Sequence, residues 1–151
     1  MKAYREKLSM GKAECGDCAH PDTLPGAKKP SFVLPFGGGE IWFEHLDNMG
    51  PHSELVLDKL LKDSRSFLLP SRPAQIGFVL SETRVTQALI GEIAALLCGG
   101  QKPFTRVCFI GKERKTRRML RDALQNRSRF AFSFTDDFEQ AKAWLVSEAV
   151  R

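Results

Sequence analysis

Two cysteines and a histidine close to the start of the chain are the residues best suited to metal chemistry. Residues 15–20 read CGDCAH, which offers three ligands, Cys15, Cys18 and His20. Thiolate sulfur and imidazole nitrogen are ligands that zinc prefers, and Cys-x-x-Cys is the usual half of a tetrahedral site. The other two cysteines lie far away, in a predicted helix end and a predicted core strand. The cluster is therefore a candidate zinc site completed by a second copy, with a redox pair and a pair without function as the alternatives.

The sequence offers no complete catalytic set. The sequence contains three histidines, His20, His45 and His52, but it lacks the Gly-x-Ser-x-Gly nucleophile elbow of a serine hydrolase. Gly111 and Lys112 follow a predicted strand and precede a predicted helix, as at the end of a phosphate loop. The earlier glycine of that loop and the serine or threonine after its lysine are missing. We therefore expect a protein that is not an enzyme and that uses no cofactor, the candidate zinc excepted.

Hydrophobic periodicity predicts the elements that position these residues. Short apolar runs predict strands, and apolar residues repeating every 3.6 positions predict helices. The strands are expected at 32–36, 41–46, 76–80, 106–110 and 130–134, and the helices at about 53–69, 85–97, 112–129 and 138–145. Residues 37–39 are all glycine and predict a hairpin between the first two strands. The order β-β-α-β-α-β-α-β-α predicts an α/β fold with a mixed, mostly parallel sheet, an N-terminal β-hairpin and four helices.

Local signals predict several element ends. Ser53 is expected to cap the first helix, and Pro70 and Pro73 are expected to end it. Asp136 and Glu139 resemble a capping box at the start of the last helix. The alternating phenylalanines of the last strand are expected to pack in the core rather than to stack on nucleic-acid bases.

The predicted hairpin carries apolar residues on both faces, because Trp42 stands between Ile41 and Phe43. If the chain leaves one of these faces uncovered, that face favours a homodimer or a partner surface. Coverage by a neighbouring helix or by the N-terminal tail is the alternative.

Composition is typical of a single-domain globular protein. The 151 residues are 42% hydrophobic and 27% charged, which is enough apolar material for one sizeable core. Residues 1–30 mix glycine, proline and charge, so we expect a loosely ordered tail followed by the α/β domain at 31–151. No apolar run approaches the length of a membrane helix, and the charged opening residues argue against a secretory signal. We therefore expect a cytoplasmic protein without membrane insertion.

Positive charge is concentrated in one segment. The formal net charge is +5, and residues 112–129 carry eight basic and two acidic residues, a balance of +6. The candidates for binding nucleic acid or another anion are Arg114, Lys115, Arg118 and Arg121. The alternative is the solvated face of an amphipathic helix.

The last third of the chain resembles a known family. Residues 107–112, VCFIGK, lead into a polar helix, a strand and the closing stretch 137–145, DFEQAKAWL. That stretch is similar to the DxEEAxxWL closing helix of SpoIIAA-like proteins. With the element order over about residues 31–148, the chain resembles a STAS domain of the SpoIIAA-like branch. The resemblance implies a bacterial regulatory protein without catalysis, which acts through a protein partner or binds a nucleotide or lipid.

The resemblance also points to one loop. In signalling STAS domains a serine or threonine at the start of the helix after the central strand is phosphorylated, and residues 81–86, SETRVT, correspond to it without the usual aspartate and glycine. The loop follows a central strand and precedes a helix, a position that favours an anion. Ser81, Thr83, Arg84 and Thr86 are therefore candidates for a ligand or phospho-switch site, with Arg84 as ionic partner. Ordinary helix-capping residues are the alternative.

Three functional hypotheses remain at this point. The first is a non-catalytic STAS-like module that acts through a protein partner or a small anionic or apolar ligand and is switched by phosphorylation. The second is nucleic-acid binding through the basic helix 112–129. The third is a metal protein built on the cysteine and histidine cluster.

Overall fold

The structure is a computed structural model that describes residues 30–147, so Cys15, Cys18 and His20 and nearly all of the predicted tail lie outside the described residues. The strands are β1 Phe32–Phe36, β2 Gly39–His45, β3 Gln75–Val79, β4 Arg106–Ile110 and β5 Ala131–Thr135. The helices are α1 Ser53–Phe67, α2 Gln87–Cys98, α3 Arg114–Leu124 and α4 Phe138–Val146. This order is the predicted one, and the α/β class with four helices is confirmed.

The five strands form one mixed sheet in the order β1-β2-β3-β4-β5. β1 pairs antiparallel with β2, and β2 to β5 are parallel neighbours. Gly37 and Gly38 have φ values of 58° and 86°, which suit the tight two-residue turn of the predicted hairpin. Because each parallel strand is added beside the previous one, right-handed crossovers carry α1, α2 and α3 over the same face of the sheet.

Each face of the sheet has its own hydrophobic core. One core joins residues of α1, α2 and α3 to the strand residues Trp42, Ile76 and Phe109. The other core joins α4 to Phe43 and its neighbours on the opposite face. The two cores follow from the period of two along a strand, which sends alternate side chains to opposite faces.

Trp42 and Phe43, on opposite faces of β2, are both covered within the chain, which agrees with the alternative of coverage by neighbouring helices. Trp42 is 6% exposed and Phe43 is fully buried. Phe67 of α1 packs on the Trp42 ring at 6.1 Å, and Phe138 of α4 packs on the Phe43 ring at 4.5 Å. Because neighbouring helices cover these residues, the hairpin gives no support to the predicted homodimer, which stays a prediction.

The ends of α1 differ from the prediction. The N-cap residue is His52, which makes no side-chain capping bond, and Ser53 is the first helical residue rather than the cap. The reason is a tight turn in which the Ser53 amide donates to the Pro51 carbonyl at 2.9 Å. The helix ends at Phe67 rather than at Leu69.

Three further predictions about the second half of the chain are corrected or confirmed. The cap of α4 is Asp137 rather than Asp136, and its carboxylate accepts a hydrogen bond from the Glu139 amide at 2.9 Å. The basic helix covers Arg114–Leu124 and is shorter than the predicted 112–129. The alternating phenylalanines are half-buried at the edge of the sheet and pack against the core, as predicted.

Candidate functional site

A cavity of about 680 Å³ lies at the edge of the sheet where the parallel strands end. Its walls come from residues 50–51 before α1, residues 80–85 after β3, residues 109–113 around the end of β4, and the inner side of α3. Parallel strands send their carboxyl ends to one edge, so the loops that follow them converge there. The cavity combines the ends of several strands with charged side chains.

Backbone hydrogen bonds hold the two loops on one side of the cavity. The Gly50 amide donates to the Glu82 carbonyl at 3.0 Å, and the Arg84 amide donates to the Gly50 carbonyl at 2.9 Å. These bonds make a short parallel bridge between Gly50 and Thr83 beyond the ends of β2 and β3. The wall is therefore an extension of the sheet, which gives the residues of the loop 81–86 defined positions.

The structure separates the three hydroxyl groups of the predicted switch loop. The Thr83 hydroxyl donates to the Leu46 carbonyl and accepts from the Met49 amide at 3.1 Å, so it joins the two loops. The Thr86 hydroxyl caps α2 by accepting from the Leu89 amide at 3.2 Å. Ser81 lines the cavity, and its hydroxyl makes no hydrogen bond to any of the residues 30–147. The capping alternative therefore describes Thr86, while Ser81 has the free hydroxyl.

Four cationic side chains line the cavity. They are Arg84, Lys112, Lys115 and Arg117. Arg117 is held in place because its Nε and Nη2 atoms donate to the Gly111 carbonyl at 3.1 and 2.6 Å. With Glu82 and Glu113 as the acidic lining residues, four positive charges minus two negative charges leave a balance of +2. A positive field inside a concave surface favours an anionic ligand.

The amino terminus of α3 adds to this field. Its N-cap residue, Glu113, makes no side-chain bond to the helix backbone, because its carboxylate instead accepts from the Thr116 hydroxyl at 2.7 Å. The first amides of a helix lack intrahelical partners and carry a partial positive charge. Since the first turn of α3 lines the cavity, these amides strengthen the preference for an anion.

The inner part of the cavity is apolar. Leu80 and Phe109 form part of it and are 5% and 2% exposed. Phe134 of β5 stacks on Phe109 with ring centroids 5.6 Å apart, and Met119 lies half-buried beside them. The arrangement suits a molecule that carries an anionic group and an apolar part.

The predicted nucleic-acid residues lie on the outer side of α3. Arg114, Lys115, Arg118 and Arg121 are all exposed, and the opposite side of the helix is buried. The spacing i, i+4, i+7 places three of these arginines along one face. Lys115 also lines the cavity, and Arg121 lies over the Phe134 ring at 5.0 Å. The basic helix therefore contributes side chains both to the cavity and to an outer surface.

No metal-binding group is found within the described residues 30–147. They hold no cluster of three or more histidine, cysteine, aspartate or glutamate side chains placed to bind an ion. Cys98 and Cys108 are free thiols, and burial raises the pKa of the Cys108 thiol to about 11. The zinc candidate with Cys15, Cys18 and His20 stays a prediction outside this part of the chain.

Sequence reasoning missed part of the cavity. Gly50, Arg117 and Phe134 contribute to it from three separate elements. The available signal was the position of each segment after a parallel strand, which identifies the edge but not which side chains face inward. The sequence presents Lys112 as part of the basic segment and of an incomplete phosphate-loop pattern, and the structure places it two residues after β4 in the wall of the cavity.

No helix of residues 30–147 is long and apolar enough to cross a membrane.

The comparisons with known proteins identify no relative of this chain. No protein-family model, no curated protein and no solved structure matches this chain. The resemblance to a STAS domain therefore stays an expectation from the sequence.

Proposed function

We propose that this protein is a non-catalytic binding module of STAS-like fold whose cavity binds a small ligand with an anionic group and an apolar part. The observation that carries the proposal is the cavity itself, with Arg84, Lys112, Lys115 and Arg117 around an apolar floor. A protein partner would respond to the state of the loop 81–86. In this proposal ligand and partner would meet at the same edge of the sheet, and the module would therefore act as a regulatory protein.

The anionic group is expected near the start of α3. Lys112 and Lys115 are exposed and free to turn towards a ligand, while Arg117 is already bound to Gly111. Phosphate, sulfonate and carboxylate groups all accept the charge-assisted hydrogen bonds that lysine donates. The apolar part would lie against Phe109 and Met119, where it displaces water from a hydrophobic surface.

The test is titration of the full chain with anilinonaphthalene sulfonate, a fluorescent probe that combines an anionic group with aromatic rings. The double variant Lys112→Gln/Lys115→Gln should weaken probe binding by about tenfold, because two charge-assisted contacts are lost. The matched control Lys62→Gln removes an exposed lysine from α1 and should leave the affinity unchanged. Equal affinities for the parent protein and the double variant would contradict the proposal.

In the same proposal, phosphorylation of Ser81 would regulate ligand binding in the cavity. A phosphate on Ser81 would lie among Arg84 and Lys112 and compete with an anionic ligand. Ser81→Asp should therefore lower the affinity for the probe several-fold, whereas the uncharged, similarly sized Ser81→Asn should not. If both variants bind the probe alike, charge at Ser81 does not control the cavity.

The second candidate function is binding of single-stranded nucleic acid by the outer side of α3. The observation that favours it is the exposure and alignment of Arg114, Arg118 and Arg121. The test is fluorescence anisotropy with a labelled oligonucleotide at several salt concentrations. Arg114→Gln/Arg118→Gln should reduce the slope of log K against log salt by about 1.4.

The control for this experiment is Lys62→Gln/Arg65→Gln, which removes two exposed cations from α1. It should leave the salt slope as it is in the parent protein. If the parent protein shows no salt-dependent binding, the charged side of α3 is a solvated helix face and this candidate is wrong.

A further inference from the structure

A fully buried carboxyl group lies between the sheet and α1, away from the cavity. Glu44 of β2 is 0% exposed. The Trp42 Nε1 atom donates to its Oε1 atom at 3.0 Å. Its Oε2 atom is buried and receives a hydrogen bond from no donor among residues 30–147. A buried carboxylate oxygen without a donor costs free energy, so we expect the Glu44 carboxyl either to carry a proton or to have a hydrogen-bonding partner.

The charged group that acts most strongly on Glu44 is a second carboxyl, that of Asp63 in α1, and it raises the pKa of Glu44. Two ionised carboxylates are acceptors only, so a hydrogen bond between Glu44 and Asp63 requires a proton on one of them. The Asp63 Oδ2 atom already accepts from the Lys59 Nζ atom at 2.8 Å and from the Ser31 hydroxyl at 2.9 Å. The proton therefore belongs to Glu44, whose free oxygen can donate it.

The surroundings favour the same assignment. Burial, followed by the interaction with Asp63, raises the pKa of Glu44 to about 9. Burial also acts to raise the pKa of Asp63, but hydrogen bonds from Glu44 and Lys59 outweigh it and leave that pKa lowered. A neutral acid thus donates to an ionised one.

Few charged groups reach Glu44. On α1 they are Asp63 and Lys59. The β3 residue opposite Glu44 is Phe78, and the β1 residue opposite Trp42 is Val33, both apolar. The proton is therefore controlled by the pair of carboxyls and the one lysine.

We propose that Glu44 and Asp63 share one proton across the contact between β2 and α1, and that this proton fastens α1 to the sheet. When hydroxide takes this proton and becomes water, two negative charges face each other in a buried contact that Lys59 compensates only in part. The contact then opens, and α1 loosens from the sheet. Nothing in this proposal depends on what the cavity binds.

The direct test is the infrared C=O stretch of a protonated carboxylic acid in the full chain. At pH 7 ordinary aspartates and glutamates are ionised, so a band at this pH identifies a shared or buried proton. We expect the band in the parent protein and in Glu40→Gln, an exposed position on the same strand. We expect its loss in Glu44→Gln, whose amide can donate to Asp63 and keeps the fold. Absence of the band in the parent protein would overturn the proposal.

The fastening is tested by acrylamide quenching of Trp42 in a Trp144→Phe background, because Trp42 is buried beneath Phe67 of α1. Quenching should increase as the pH passes about 9 and should stay constant in Glu44→Gln. Asp63→Asn should move the increase to lower pH or abolish it, because the acceptor that retains the proton is gone. If the infrared band titrates while the quenching stays constant, the proton is shared but does not fasten α1, and that half of the proposal is wrong.

Discussion

At the scale of single residues, Lys102 shows how a buried cation can replace missing hydrogen bonds. It is 6% exposed, and its Nζ atom donates to the carbonyls of Phe67, Leu69 and Arg72, each at 2.8 Å. These carbonyls belong to the end of α1 and the turn after it, where backbone acceptors lack helical partners. The ammonium group also suits the negative end of the helix dipole.

The prediction is that Lys102→Met, which keeps the length of the side chain, lowers the free energy of unfolding by about 2–4 kcal/mol. The buried Phe67 carbonyl and the part-buried Arg72 carbonyl would lose the ammonium donor, while the Leu69 carbonyl would keep the Arg72 amide. Urea denaturation measures the loss, with the exposed Lys62→Met as the control that should change little. A loss under about 1 kcal/mol would mean that water replaces the ammonium group.

At the scale of elements, α4 packs on the sheet at a close approach that only glycine permits. A Cβ atom on Gly77 would lie 2.6 Å from the Phe43 ring and 3.3 Å from the Leu145 side chain. We expect Gly77→Ala to cost about 1–3 kcal/mol of stability, because ring and helix must shift.

The matched control for this change is Gly91→Ala in α2. A Cβ atom there meets nothing within 4 Å, and alanine favours a helix more than glycine by about 1 kcal/mol. Thermal unfolding should therefore show a lower Tm for Gly77→Ala and a raised or equal Tm for Gly91→Ala. A Gly77→Ala protein as stable as the parent would mean that α4 packs less closely on the sheet.

At the scale of the whole molecule, Glu44 makes stability depend on pH. The folded protein keeps a proton on Glu44 up to a pH of about 9, whereas the unfolded chain loses it above the ordinary pKa of 4.5. The free energy of unfolding therefore falls as the pH rises from 4.5 towards 9, by about 3 kcal/mol at pH 7. The lowered pKa of Asp63 acts in the other direction and removes stability as the pH falls below 3.8.

Denaturation across this pH range measures both effects. Glu44→Gln should lack the decline between pH 4.5 and 9 and should be more stable than the parent protein in the alkaline half. Glu40→Gln should retain the decline, since its side chain is exposed. A parent protein with constant stability over this range would show that Glu44 does not keep its proton.

The predicted boundary between the N-terminal tail and the α/β domain, near residue 30, can also be tested. All five strands and four helices of the structure lie within residues 30–147. We therefore expect a chain that lacks residues 1–29 to unfold with a Tm within about 2 °C of the full chain, since a loss of even 1 kcal/mol would lower it further. A larger fall would mean that the first residues pack on the domain.

The sequence by itself determined the order of the elements, the hairpin and the loop that follows each parallel strand. These features depend on periodicity and turn residues within a short stretch, as β4 illustrates, with the same bounds in sequence and structure. Even the helix caps at Ser53 and Asp136 were displaced by only one residue. Local physics decides such features, so a pattern can predict them.

Only the tertiary structure decided which side chains meet. The contact of Lys102 with Phe67 spans 35 residues, and the bond from Ser31 to Asp63 spans 32. In the sequence Arg117 is one of many basic residues, whereas in the fold its guanidinium donates to the Gly111 carbonyl beside the cavity. Such contacts depend on how helices cross the sheet, and a linear pattern carries no information about that crossing beyond its hand.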